Sequence, residues 1–127
     1  MAEGWTRHLK GDRIEPYSAG VEVRGLDPMA VRVMAEAGVD MTGHRPKHIG
    51  ELQGLSFDYV ITVCDHARES CPVFPGRTTR VHRSFDDPPR LARQAPSEEE
   101  ALAVYRRVRD EIRAFVTSLP ESLSERP

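Results

Sequence analysis

Two cysteines, Cys64 and Cys71, stand seven positions apart in the segment VITVCDHARESCPVFPG. Cys64 falls at the carboxyl end of an apolar, β-branched run, FDYVITV, and the carboxyl ends of strands are where open α/β sheets present their functional groups. A thiol there, with a second thiol across a polar stretch, is a dithiol placed for redox chemistry. A disulfide needs Cα atoms about 4.4–6.8 Å apart, which a helical turn or a looped-out segment can meet and an extended one cannot. Closing the pair therefore calls for local remodelling. The plainer alternative is two unrelated cysteines packed as small hydrophobes.

Other residues compete for attention. Cys64, His66, Cys71 and His82 carry the thiolate and imidazole ligands that zinc prefers. Structural zinc sites usually pair their ligands about two to four residues apart at each end, however, and Cys71 and His82 stand alone. His44 and His48 read as surface residues. Residues 71–78, CPVFPGRT, fit Cys-x5-Arg-[Ser/Thr], the written form of loops that bind a tetrahedral oxyanion. Such a loop aims successive backbone N–H groups at the anion and leads into a helix, whereas Pro72 and Pro75 have no N–H and the next segment reads as a strand. Asp86 and Asp87 precede Pro88 on a loop after that strand, where a carboxylic acid could protonate a leaving oxygen. A solvated Asp-Pro turn is the competing reading.

The elements that must position these groups are partly legible. Residues 2–10 have helical periodicity with no capping residue ahead, so they read as a helix cut rather than started. Residues 14–19 read as a short strand that Pro16 confines to an edge. Asp27 as N-cap, Pro28 at the first position and Gly38 past the end bracket a helix with Val31, Met34 and Ala35 on its inner face. A shorter helix covers about 47–53, and 57–63 reads as a strand buried on both faces. Residues 80–85 read as another strand, and the prolines of 86–96 argue against regular structure there. Ser97 and Glu100 form a capping box ahead of a helix whose apolar face is Leu102, Tyr105, Val108, Ile112, Phe115 and Leu119, ended by Pro120. Alternating helices and strands predict a three-layer α/β fold, a parallel sheet with helices on both faces. Residues 1–119 form the domain, with a polar tail over 120–127.

A chain of 127 residues with 39% apolar content suits one modest core. Its 18 basic and 20 acidic residues give a net charge of −2 with no basic stripe, which argues against nucleic acid as a partner. No apolar run approaches the roughly 20 residues that cross a bilayer, and the opening MAEGWTRHLKGDR lacks a signal peptide's apolar core. The expected location is the cytoplasm, away from membranes, where structural disulfides are rare.

Taken together, MAEGW, YSAG, GLDPMAVRVMAEAG, FDYVITVCD, ESCPVFPG, FDDP and YRRVRDEIR resemble, over residues 1 to about 117, the thioredoxin-coupled arsenate reductases built on the low-molecular-weight tyrosine phosphatase fold. The resemblance implies reduction of arsenate to arsenite with thioredoxin as reductant and with no cofactor or metal. It makes Cys64 the second nucleophile, which attacks the arsenic–sulfur adduct so that arsenite leaves. Cys71 then attacks Cys64 to form a disulfide that thioredoxin reduces, and Asp87 is the general acid.

In that family a short apolar strand precedes MAEGW and feeds a Cys-x5-Arg loop holding the first cysteine and an oxyanion-clamping arginine. Neither stands ahead of MAEGW in these 127 residues. The expectation is therefore a fold lacking its first and central strand, which belongs between 14–19 and 57–63, with no arsenate site in the lone chain. Several unmade backbone hydrogen bonds at ~1–3 kcal/mol each would rival the ~5–15 kcal/mol that keeps a domain folded, so weak stability is expected too. An upstream reading frame encoding the strand and loop is the simplest origin; a homodimer in which a partner donates a strand is left open. Pro46, between Arg45 and Lys47, replaces the family's usual hydroxyl residue. The rivals are a phosphatase of the same fold, which needs no resolving pair, and a non-catalytic dithiol module that binds thioredoxin or a metalloid.

Overall fold

A computed structural model describes residues 1–20, 27–43, 47–52, 54–63, 78–119 and 121. The chain divides into two compact units: Met1–Tyr17, Leu26–Arg45 and Asp86–Pro127 make the first, and Ser18–Gly25 with Pro46–Phe85 the second.

The first unit is helical. Helix α1 (Ala2–Lys10) has Glu3 in its first turn and Arg7, His8 and Lys10 in its last, charges that match the helix dipole, and it begins without a side-chain cap. Helix α2 (Pro28–Glu36) starts as expected: an Asp27 carboxylate oxygen accepts the Met29 N–H at 3.0 Å, and Pro28 fills a first-turn position whose missing N–H costs nothing. Gly38 closes the helix at φ +87°, a backbone conformation that favours glycine. The buried face is Ala30, Val33 and Met34 rather than Val31, Met34 and Ala35. The helix is rotated from the expected stripe because Ala30 and Val33 pack against Leu102 and Tyr105.

Helix α3 (Pro88–Ala92) corrects the expectation that prolines exclude regular structure from 86–96. Both prolines occupy the first turn, where no intrahelical N–H bond is due, so they initiate the turn instead of breaking it. Helix α4 (Glu98–Thr117) carries the Ser97 cap, whose hydroxyl accepts the Glu100 N–H at 3.2 Å. Leu102, Tyr105, Val108 and Ile112 are buried along it as the periodicity requires, and Ala101 and Val116 join them. All three shorter helices pack on α4.

Trp5 ties α1 to α4: it is 1% exposed, its indole N–H donates to the Arg109 carbonyl at 3.1 Å, and the Arg113 guanidinium lies 5.3 Å from its ring centre. On the same helix the buried Gly4 packs toward Met34, Val39 and Met41, which a Cβ there would meet at 3.4 Å.

The end of α2 is clamped to α4 by Glu36, which takes Arg106 with both oxygens at 2.9 and 3.0 Å and Arg109 at 3.4 Å. The hydrogen bond from Arg106, followed by the charges of Arg106, Arg109 and Arg32, holds the Glu36 carboxyl below its ordinary value despite some desolvation. A lowered folded-state value means that the unfolded chain takes up this proton first. The stabilisation is present above the ordinary carboxylate range and is lost as pH falls through the folded value. Thermal unfolding of Glu36→Gln should therefore differ from the parent at pH 7, and the difference should shrink as pH falls below the ordinary carboxylate range.

The second unit holds the sheet. Strands β1 (Tyr59–Thr62) and β2 (Thr79–His82) pair in parallel with Tyr59 opposite Thr79 and Thr62 opposite His82. The expected strand at 14–19 is not formed; an isolated parallel bridge between Gly20 and His48 stands just beyond it. Pro16 offers no N–H to a ladder there, and its carbonyl accepts from Arg7 at 3.3 Å. The short helix expected at 47–53 is a 3-10 turn, Ile49–Leu52, with the exposed His48 ring accepting the Gly50 N–H at 3.0 Å. The run at 57–63 is half-buried rather than covered on both faces, with Tyr59 38% and Val63 37% exposed. Among the described residues β2 is the only strand paired with it, where the full expectation needed a neighbour on each side.

Candidate active site

The parallel pair ends at the edge where the sequence places its chemistry. Backbone pairing runs past the last strand residues: the Arg83 N–H donates to the Thr62 carbonyl at 2.9 Å and the Phe85 N–H to the Val63 carbonyl at 3.0 Å. The chain is thus held through Val63, one peptide bond before Cys64. Side chains reinforce this edge, with Thr62 Oγ1 and His82 Nδ1 2.7 Å apart and the Arg83 guanidinium 4.9 Å from the Phe85 ring centre. Sequence reasoning missed the threonine–histidine pair. Its one signal was that both residues sit near the ends of β-type runs.

Cys64 and Cys71 lie outside the described residues, as do His66 and His44. Most of the CPVFPGRT segment does too, but its last residue is described: Thr78 donates to the Phe57 carbonyl at 2.7 Å and leads directly into β2. A strand follows the motif, as expected, and not the helix that an oxyanion loop requires. Of the four zinc candidates only His82 is described, and its Nδ1 faces Thr62. Among the described residues no group of three or more histidines, cysteines or carboxylates is gathered in a metal-holding cluster.

The two acidic candidates belong to the first unit and differ in their contacts. Asp86 is held by Arg107 at 2.9 Å, the same guanidinium reaching Glu111 at 2.9 Å. Asp87 occupies the N-cap of α3 in an extended conformation, yet its carboxylate makes no capping bond; its carbonyl accepts the Leu91 N–H at 3.2 Å. Both carboxylates are exposed, Asp86 in its ion pair with Arg107 and Asp87 at the start of a helix. In the same unit the Tyr105 hydroxyl donates to Asp27. Burial first, then that hydrogen bond and the charges of Asp27 and Asp87, push the Tyr105 phenol well above its ordinary value and keep it a donor.

The sequence profile described as low molecular weight phosphotyrosine protein phosphatase matches residues 1–126. The chain belongs to that family. Within it, the similarity to arsenate reductases is extensive. The arsenate reductase of Halalkalibacterium halodurans is 41% identical over 122 residues, covering 96% of this chain and 86% of the relative. That of Bacillus subtilis is 43% identical over 112 residues, covering 88% and 78%. A solved arsenate reductase in its reduced state superposes with a TM-score of 0.68 at 25% identity, covering 96% of this chain and 86% of that one. An oxidised-state arsenate reductase structure gives 0.68 at 26%, covering 93% and 83%. The α/β fold of the low-molecular-weight phosphatases is the fold of this chain, and its relatives are enzymes. No helix among the described residues is long and apolar enough to cross a membrane.

Proposed function

We propose that this chain is the body of an enzyme that reduces arsenate to arsenite by a cysteine relay, with thioredoxin as the terminal reductant. The observation that carries the reading is identity of about two residues in five with curated arsenate reductases across nearly the whole chain. In the relay, a first cysteine thiolate displaces an oxygen of arsenate as water, giving an arsenic–sulfur bond. The Cys64 thiolate attacks that sulfur; a sulfur–sulfur bond forms, the arsenic–sulfur electron pair stays on arsenic, and As(V) leaves as arsenite. Cys71 attacks the Cys64 sulfur and releases the first thiolate. The dithiol of thioredoxin then reduces the Cys64–Cys71 disulfide, returning the two electrons. Asp87, free of capping duty, protonates the departing oxygen, while Asp86 and Arg107 hold its loop to α4.

Three sulfurs are required, and these 127 residues contain two cysteines. Joined to the family's strand and Cys-x5-Arg loop ahead of Met1, the chain should produce arsenite with thioredoxin, and Asp87→Asn should slow it by about 10²–10⁴-fold, the usual worth of a general acid. The same protein offered an aryl phosphate tests the family's other chemistry. Hydrolysis that is indifferent to serine at positions 64 and 71, without arsenite production, would favour the phosphatase and overturn the reductase.

A further inference from the structure

Arg90 and Arg93 stand apart from the other described arginines of the first unit: neither makes a hydrogen bond, an ion pair or a ring contact. Each of the others reaches a carboxylate, a carbonyl or a ring, as Arg32 reaches Glu98 at 3.3 Å, Arg107 reaches Asp86 at 2.9 Å and Arg113 lies over Trp5. Both unpaired guanidiniums belong to exposed residues.

The two also share a face. Arg90 lies within α3, and Arg93 caps it with helical dihedral angles, its N–H donating to the Pro89 carbonyl at 3.2 Å. Residues three apart on such a backbone are surface neighbours. Ala92, between them, packs against the buried cluster around Leu102 and Tyr105, which anchors α3 to the core. Of the carboxylates flanking α3 in sequence, Asp86 is taken by Arg107, Glu98 by Arg32 and Glu99 by Arg106 at 3.0 Å. Asp87 stands at the N-cap, three residues ahead of Arg90. The buried Tyr105 hydroxyl feels the charges of both Asp87 and Arg93, so acid and arginine lie within electrostatic range of one point.

A guanidinium presents its N–H groups as a planar fork that fits two oxygens of an oxyanion. A second fork on the same face suits a tetrahedral dianion, where a lone arginine would be an ordinary surface charge. In the acid form that the relay needs, Asp87 sets no charge against such an anion.

We propose that Arg90 and Arg93 form an accessory oxyanion-docking pair on α3, which gathers arsenate beside Asp87. The inference rests on the reading of Asp87 as the acid of an arsenate enzyme, and it adds a place where the substrate is held before the chemistry.

The test titrates the 127-residue chain, labelled with nitrogen-15, with sodium arsenate at pH 7 and follows the arginine Nε–H signals. Sodium chloride holds the ionic strength at about 50 mM throughout. The Arg90 and Arg93 signals should move together and saturate with a Kd of about 1–5 mM, while those of the paired Arg32 and of Arg113 stay in place. Arg90→Gln or Arg93→Gln should each weaken binding about threefold, and the double variant should lose saturable binding. Neither guanidinium has a partner to lose, so the other amide signals of these variants should match the parent. Raising the ionic strength to about 0.5 M should weaken binding severalfold. Shifts spread evenly over all exposed arginines, shifts that never saturate, or a double variant that binds like the parent overturn the inference. The titration needs no turnover: its failure leaves the relay standing, and failure of the thiol chemistry leaves the titration to be read by itself.

Discussion

Cys64→Ser is expected to abolish arsenite release by the chain equipped with the oxyanion loop, with a fall of at least about 10³-fold, the scale seen when an enzyme loses its nucleophile. The reason is electronic as well as steric. Arsenite departs only if the attacking atom forms a stable bond to sulfur while arsenic keeps the electron pair, and an alcohol oxygen does not do this. Cys71→Ser should act differently, allowing one arsenite per chain in a burst and then stopping, because the disulfide between the first cysteine and Cys64 lacks its resolving thiol. Rapid-quench measurement of arsenite against chain concentration separates the two. A Cys71→Ser chain that turns over at the parent rate would remove Cys71 from the relay.

The largest expected effect on stability is at Trp5. Trp5→Ala removes a side chain 1% exposed, its hydrogen bond to the Arg109 carbonyl and its contact with Arg113, and it leaves a cavity between α1 and α4. Truncations of this size cost about 3–5 kcal/mol, a large share of the ~5–15 kcal/mol available to a whole domain. Chemical denaturation should show a midpoint shifted far toward water or no folded baseline. Trp5→Phe, which keeps most of the apolar volume, should recover more than half of the loss. A Trp5→Ala chain as stable as the parent would mean that α1 is not part of the cooperative core.

The elements that could be read from sequence were those whose signals are local. Asp27, Pro28 and Gly38 bracket α2, and Ser97 with the apolar stripe from Leu102 to Ile112 sets α4, because caps and helical periodicity act within one or two turns. Pro88 and Pro89 misled because proline's meaning depends on position, and at a first turn it initiates what it would otherwise break. Residues 14–19 misled because an apolar, β-prone run becomes a strand only with a partner in register, and Pro16 subtracts a donor. The Thr62–His82 contact was invisible for a related reason, since a cross-strand pair 20 residues apart depends on parallel register that neither segment specifies alone. Asp87 was distinguished from Asp86 by the resemblance, while the ion pair between Arg107 and Asp86 joins residues 21 apart and could not be read from either segment.

If Cys64 and Cys71 are one redox pair served by thioredoxin, the 127-residue chain is sufficient to show it. Oxidised with diamide and digested under non-reducing conditions, it should yield Cys64 and Cys71 joined within one chain. Thioredoxin, with its reductase and NADPH, should restore both thiols while consuming one NADPH per chain. Thiols that stay free in the folded chain, disulfides formed only between chains, or a Cys64–Cys71 bond that thioredoxin does not reduce would contradict the account.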